Sequence, residues 1–127
     1  MKIGDELPAL VIPVTTTLIV AGAISSRDYQ DVHHDAALAK QRGAKDVFMN
    51  ILTTNGLVGR FITDWAGPDA NLKKISIRLG VPNYPGDVMT LTGRVAAIDG
   101  NVVDVDVRGA NASGDHVSGT VRVELPS

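Results

Sequence analysis

A chain of 127 residues has room for one hydrophobic core and not for two, so a single domain over residues 1–127 is expected. Its 44% hydrophobic and 20% charged residues give an ordinary soluble balance, and a formal charge of -2 with no basic run argues against nucleic acid as a partner. The absence of cysteine removes disulfides, thiolate nucleophiles and zinc–thiolate sites, and fits a reducing, cytoplasmic compartment.

Lys2 followed by the apolar stretch Leu7 to Ile24, with Ala21-Gly22-Ala23 near its end, has the outline of a signal peptide. Asp5, Glu6, Pro8, Pro13 and the run Thr15-Thr16-Thr17 break that pattern. No uncharged stretch is long and apolar enough to span a bilayer, so no membrane partner is expected. Leu7 to Val14 instead reads as an edge strand or an extended lead-in, since it is rich in β-formers and bounded by prolines. The threonines supply an N-cap for a short helix over Leu18 to Ile24, which Gly22 and the serines at 25 and 26 end.

A polar stretch follows, Ser26-Arg27-Asp28-Tyr29-Gln30-Asp31-Val32-His33-His34, holding two of the three histidines. A carboxylate beside an imidazole can hold one water and move protons in both directions, as addition of water to a double bond requires. Asp28 and His33 are the candidate pair, with His34 one residue out of register as the rival. Asp31 and Asp35 read as turn and cap residues. Asp35 caps a short helix from Ala36 to Gln41, which Gly43 stops.

The strongest helical period runs from Val47 to Trp65. Ile51, Val58, Phe61, Ile62 and Trp65 form one apolar stripe that Thr54 and Asn55 complete, and Gly67-Pro68 ends it. Gly56 and Gly59 weaken this helix by roughly 1 kcal/mol each and suggest that another backbone approaches it closely. The period then changes to two. Ile75 to Leu79, Met89 to Val95, Val103 to Val107 and Val121 to Leu125 each alternate apolar with polar residues, giving four half-buried strands. Asp99-Gly100 marks a tight hairpin, and Asn111 to Asp115 a longer turn in which His116 is expected to be solvent-exposed. The resulting fold class is α+β, a curved antiparallel sheet wrapped around one long central helix at about residues 47–66.

With that order in place, the chain resembles the MaoC-like, R-specific enoyl-CoA hydratases, whose fold is the hotdog. Their motif runs Ser-Gly-Asp-x-Asn-Pro-(aliphatic)-His, with a small residue six positions later. Here Ser26, Asp28, Val32, His33 and Ala39 keep the pattern, while Arg27, Gln30 and Asp31 replace the glycine, asparagine and proline. Val81-Pro82-Asn83-Tyr84-Pro85-Gly86-Asp87 resembles the family's (aliphatic)-Pro-x-x-Pro-Gly-Asp segment. Asn111, Gly114, Val117 and Gly119 echo its last hairpin, with the final glycine one place early.

A narrower resemblance is to the small subunit of the heteromeric steroid side-chain hydratases of actinobacteria. It is carried by Arg27 to Asp35, by Asn50-Ile51-Leu52-Thr53, and by Thr63-Asp64-Trp65-Ala66-Gly67-Pro68. In that group the small subunit keeps the catalytic aspartate and histidine, and a second MaoC-like subunit has lost them.

The resemblance implies syn addition of water to an α,β-unsaturated acyl-CoA, here a steroid thioester with a shortened side chain, as in cholesterol catabolism. Asp28 and His33 would be catalytic, and the backbone N–H of Asn50, at the family's glycine opening the central helix, would bind the developing oxyanion. Coenzyme A is then part of the substrate, with no separate cofactor and no metal. Arg27, Arg60 and Arg78 are available to its phosphates, as any arginine on a polar face is. The implied partner is a second MaoC-like subunit in an α2β2 heterotetramer, or otherwise an identical copy in a homodimer. Two other readings stay open, a hotdog thioesterase using Asp46 and a non-catalytic acyl-binding subunit.

Overall fold

The computed structural model describes residues 1–127, with the strands β1 (Leu10–Pro13), β2 (Asn71–Leu79), β3 (Val88–Asp99), β4 (Val102–Asn111) and β5 (Gly114–Glu124). Three helices precede β2: α1 (Thr16–Ser25), α2 (Ala36–Gln41) and α3 (Ile51–Ala66), with a short 3₁₀ turn at Asp31–His33 between the first two. The strands form one sheet in the order β1-β3-β4-β5-β2, and every neighbouring pair is antiparallel. β1 is an edge strand, as its prolines suggest, and β2 is the other edge.

Alternation decides which face is inside. Met89, Leu91 and Val95 of β3, Val103, Val105 and Val107 of β4, and Val117, Val121 and Val123 of β5 are buried on one face. Arg94, Asp106, Arg108, Thr120 and Arg122 point to the other. α3 lies across the buried face through Val58, Phe61 and Ile62. Gly93 makes room for it, since a Cβ there would sit 2.9 Å from Phe61 Cε2. Register irregularities in three of the strand pairs bend the sheet locally. This is the hotdog arrangement.

Several expectations need correction. α3 begins at Ile51, four residues later than the apolar period suggests. Residues 47–49 are extended because Phe48 N–H bonds Val32 O (3.2 Å) and Met49 N–H bonds Asn83 O (3.1 Å). Ile51, assigned to the apolar stripe, is 47% exposed. No backbone approaches Gly56 or Gly59: nothing lies within 4 Å of a Cβ built on the first, and only side-chain methyls of Leu72 and Ile75 at 3.7 Å on the second. Gly22 does not end α1. It lies inside the helix, where a Cβ would collide with the Thr53 side chain of α3. The helices α1 and α3 therefore meet with almost no space between them, and the site is built at that junction.

Candidate active site

α1 starts at the Thr15 cap, whose hydroxyl accepts from Leu18 N–H (3.0 Å), and ends in a Schellman motif. Asp28 N–H bonds Ala23 O (2.9 Å) and Arg27 N–H bonds Ile24 O (3.0 Å). Such an ending requires a left-handed residue, normally glycine, and Arg27 adopts it with φ 57°. The arginine thus keeps the backbone that a glycine at this place would give. The motif delivers Asp28, with a side chain 22% exposed, directly beneath the end of α1.

The following 3₁₀ turn is fixed from outside. Arg42 pairs with Asp31 through Nε (2.7 Å) and Nη2 (2.9 Å), which holds the Asp31 carboxyl below its ordinary value. Asp35 caps α2 through Leu38 N–H (3.1 Å), and Ala39 of the same helix is fully buried. Between these supports His33 turns inward and is buried, while His34 stays exposed. His33 Nδ1 lies 2.7 Å from Phe48 O, and its ring meets Phe48 edge-on at 5.0 Å. A carbonyl only accepts, so Nδ1 carries the proton and Nε2 faces away from it. Nε2 lies 3.4 Å from Asp28 Oδ2.

Asn50 joins this pair to α3. Its Oδ1 caps the helix by accepting from Thr53 N–H (3.0 Å). Its Nδ2 donates to Asp28 Oδ2 (3.2 Å) and to Ser26 Oγ (3.0 Å). Sequence reasoning found the backbone N–H but missed this side-chain link, which only the packing of α1 on α3 creates. The backbone N–H groups of Asn50, Ile51 and Leu52 are not engaged by any backbone carbonyl, and the helix dipole makes this end attractive to negative charge.

His116, expected in a turn and exposed, lies on β5 and is 2% exposed. The hairpin ends earlier than the polar run suggests, because Gly114 (φ 135°) already starts the strand. Its Nδ1 donates to Val81 O (2.7 Å), so its Nε2 accepts from Thr54 Oγ1 (2.8 Å) in the first turn of α3. Burial pushes the imidazole below its ordinary value, against the opposing pull of the Val81 carbonyl and the Asp87 charge. This buried histidine is neutral and fixes the start of α3 to the sheet. Asn83, also buried, accepts from Asn111 Nδ2 (2.9 Å) and anchors the Val81–Asp87 loop behind Met49.

The other candidates take no part in the hydrogen bonds that join Asp28, His33 and Asn50, although Arg27 is the immediate neighbour of Asp28. Arg60 pairs with Asp64 (3.5 Å) on the outer side of α3, and Arg27 and Arg78 are exposed. Asp46 accepts from the N–H of its own neighbour Val47 (2.7 Å). No group of three His, Asp or Glu residues is placed to hold a metal ion, and no helix is long and apolar enough to cross a membrane. A groove of about 590 Å³ along Glu6, Gly93 and Arg108 contains none of Asp28, His33 and Asn50.

No protein-family model matches the chain. The beta subunit of the 3-oxo-4,17-pregnadiene-20-carboxyl-CoA hydratase of Mycobacterium tuberculosis is 48% identical over 123 residues, covering 97% of this chain and 95% of that protein. Among solved structures, a chain of the ChsH1-ChsH2 complex of Mycobacterium tuberculosis superposes with a TM-score of 0.97 at 47% identity, covering 98% of each. The (R)-hydratase from A. caviae involved in PHA biosynthesis shares the fold, with a TM-score of 0.91 at 20% identity over 99% of this chain and 98% of that one. The chain belongs to the MaoC-like enoyl-CoA hydratases, hydro-lyases built on the hotdog fold.

Proposed function

We propose that the chain is the catalytic subunit of a heteromeric hydratase that adds water, syn, to the α,β double bond of a steroid acyl-CoA with a shortened side chain. The observation that carries this is the approach of Asp28 Oδ2 to His33 Nε2 at 3.4 Å, with Nδ1 of the same ring committed to Phe48 O. Both facing atoms are acceptors when the ring is neutral, so a water between them donates a hydrogen to each. One of the pair takes a proton as the water oxygen attacks C3, and the pair returns a proton to C2 from the same side. The N–H of Asn50 at the opening of α3 meets the thioester oxygen, where enolate charge develops.

The steroid substrate is supported by the name of the relative at 48% identity, and the second subunit by the complex matched at 47%. Exposed apolar residues point the same way. Ile24, Tyr29, Ile51 and Leu52 sit on the segments that carry Ser26, Asp28 and Asn50, and this chain provides no enclosing wall over them. A steroid ring system and a second hotdog subunit would cover that surface.

The test is to incubate the chain, alone and with a co-purified second subunit, with 3-oxo-4,17-pregnadiene-20-carboxyl-CoA and with crotonyl-CoA. Loss of the enoyl-thioester absorbance without free thiol, greater for the steroid and dependent on the second subunit, is expected. Release of free thiol would mean a thioesterase, and no reaction in either state a binding role. A homodimer fully active by itself would overturn the heteromer.

A further inference from the structure

We propose that the Asn50 side chain is the positioning residue for the Asp28 carboxylate, a role separate from its backbone N–H and resting on the reading of Asp28 and His33 as the reacting pair. The amide is 2% exposed, and its orientation is forced. Thr53 N–H can only donate, so Oδ1 must face it (3.0 Å) and Nδ2 must face the end of α1. There Nδ2 meets Ser26 Oγ at 3.0 Å and Asp28 Oδ2 at 3.2 Å, the same carboxylate oxygen that faces His33. The Ser26 hydroxyl is itself held, since it donates to Gly22 O (2.7 Å). The only other hydrogen bond to the carboxylate is a long one, Gln30 N–H to Oδ1 at 3.4 Å. The Schellman ending of α1 therefore sets the Asp28 backbone, and Asn50 sets its rotamer. Because the same amide caps α3, one residue fixes the carboxylate relative to the N–H groups at the opening of that helix.

The cap and the clamp use opposite ends of the amide, which makes them separable. Asn50→Ser and Asn50→Asp keep a capping acceptor and lose the Nδ2 donor, whereas Asn50→Ala loses both. Each is compared with wild type and Asp28→Asn for kcat, KM and thermal midpoint on an enoyl-CoA, in the assembly in which the chain is isolated. Asn50→Ser is expected to keep the wild-type midpoint and KM but lose kcat by roughly ten- to a hundred-fold, the scale of a small misplacement of a reacting group. Asn50→Ala should lose kcat to the same extent and also melt earlier. Asn50→Asp should be slowest at neutral pH, where two carboxylates meet, and regain rate as pH falls, because its protonated carboxyl again offers a hydrogen to Asp28. A wild-type kcat for Asn50→Ser, or a wild-type pH profile for Asn50→Asp, overturns the clamp. If Asp28→Asn also turns over normally, the reading of the pair has failed; if it is inactive while Asn50→Ser is normal, only this inference has.

Discussion

Phe48 holds His33 through both of its backbone polar groups: its carbonyl oxygen lies 2.7 Å from Nδ1, and its N–H bonds the preceding Val32 O at 3.2 Å. The extended segment before α3 thus fixes both the backbone entering His33 and the tautomer of its ring. When the ring is neutral, nitrogen-detected NMR should find the proton on Nδ1 and Nε2 bare. A proton on Nε2 would make that atom a donor to Asp28 and remove the water-accepting pair.

Arg27 carries a left-handed backbone that glycine adopts without steric cost. Left-handed conformation costs a residue with a Cβ about 1–2 kcal/mol. Arg27→Gly is therefore expected to be more stable than Arg27→Ala by about 1 kcal/mol in denaturant unfolding, offset in part by the entropy of the unfolded glycine. Equal stability of the two variants would show that the Schellman ending does not strain this position.

At Gly22, alanine would normally gain about 1 kcal/mol in a helix interior. Here its Cβ would collide with Thr53, and overpacking costs roughly 1–3 kcal/mol. Gly22→Ala should thus lower stability, and it should lower kcat as well, because Thr53 is bonded to Asn50 and displacement reaches Asp28 through it. A more stable, fully active Gly22→Ala would mean that α1 and α3 separate freely.

How far the sequence was legible follows from these residues. The strands and their buried faces could be read because one-face burial repeats every second residue, and the α2 cap because Asp35 acts within its own turn. The start of α3 could not, since Val47 and Met49 are buried like helix residues while their backbone is held by distant Val32 and Asn83. Of the two adjacent histidines, His33 lies 3.4 Å from Asp28 and His34 is exposed, a difference set by packing rather than by period. The Asn50 clamp and the burial of His116 needed contacts across 22 and 62 positions of sequence, beyond what local periodicity carries.

The buried His116 has a pH signature. Its pKa is lowered in the fold, so the unfolded chain takes up the proton first as pH falls. Its stabilising contribution is complete above the ordinary value of 6.5 and is lost progressively below it, toward the lowered folded value. The thermal midpoint should fall between pH 7.5 and about 5, and His116→Gln should flatten that slope whatever its absolute stability. The Asp31 and Asp104 carboxylates, also lowered by arginine partners, act below their ordinary value of 3.8 and so in a separate window. An unchanged slope in the variant would assign the loss to another group.

If Asp28 and His33 together activate water, turnover of an enoyl-CoA by Asp28→Asn reads it without an intermediary. The substitution preserves shape and can keep an oxygen facing both Asn50 and His33, but an amide oxygen is not a base and cannot take the proton of the water. In that variant kcat should fall by about 10²–10⁴-fold with substrate binding largely retained. A near-normal kcat would contradict it.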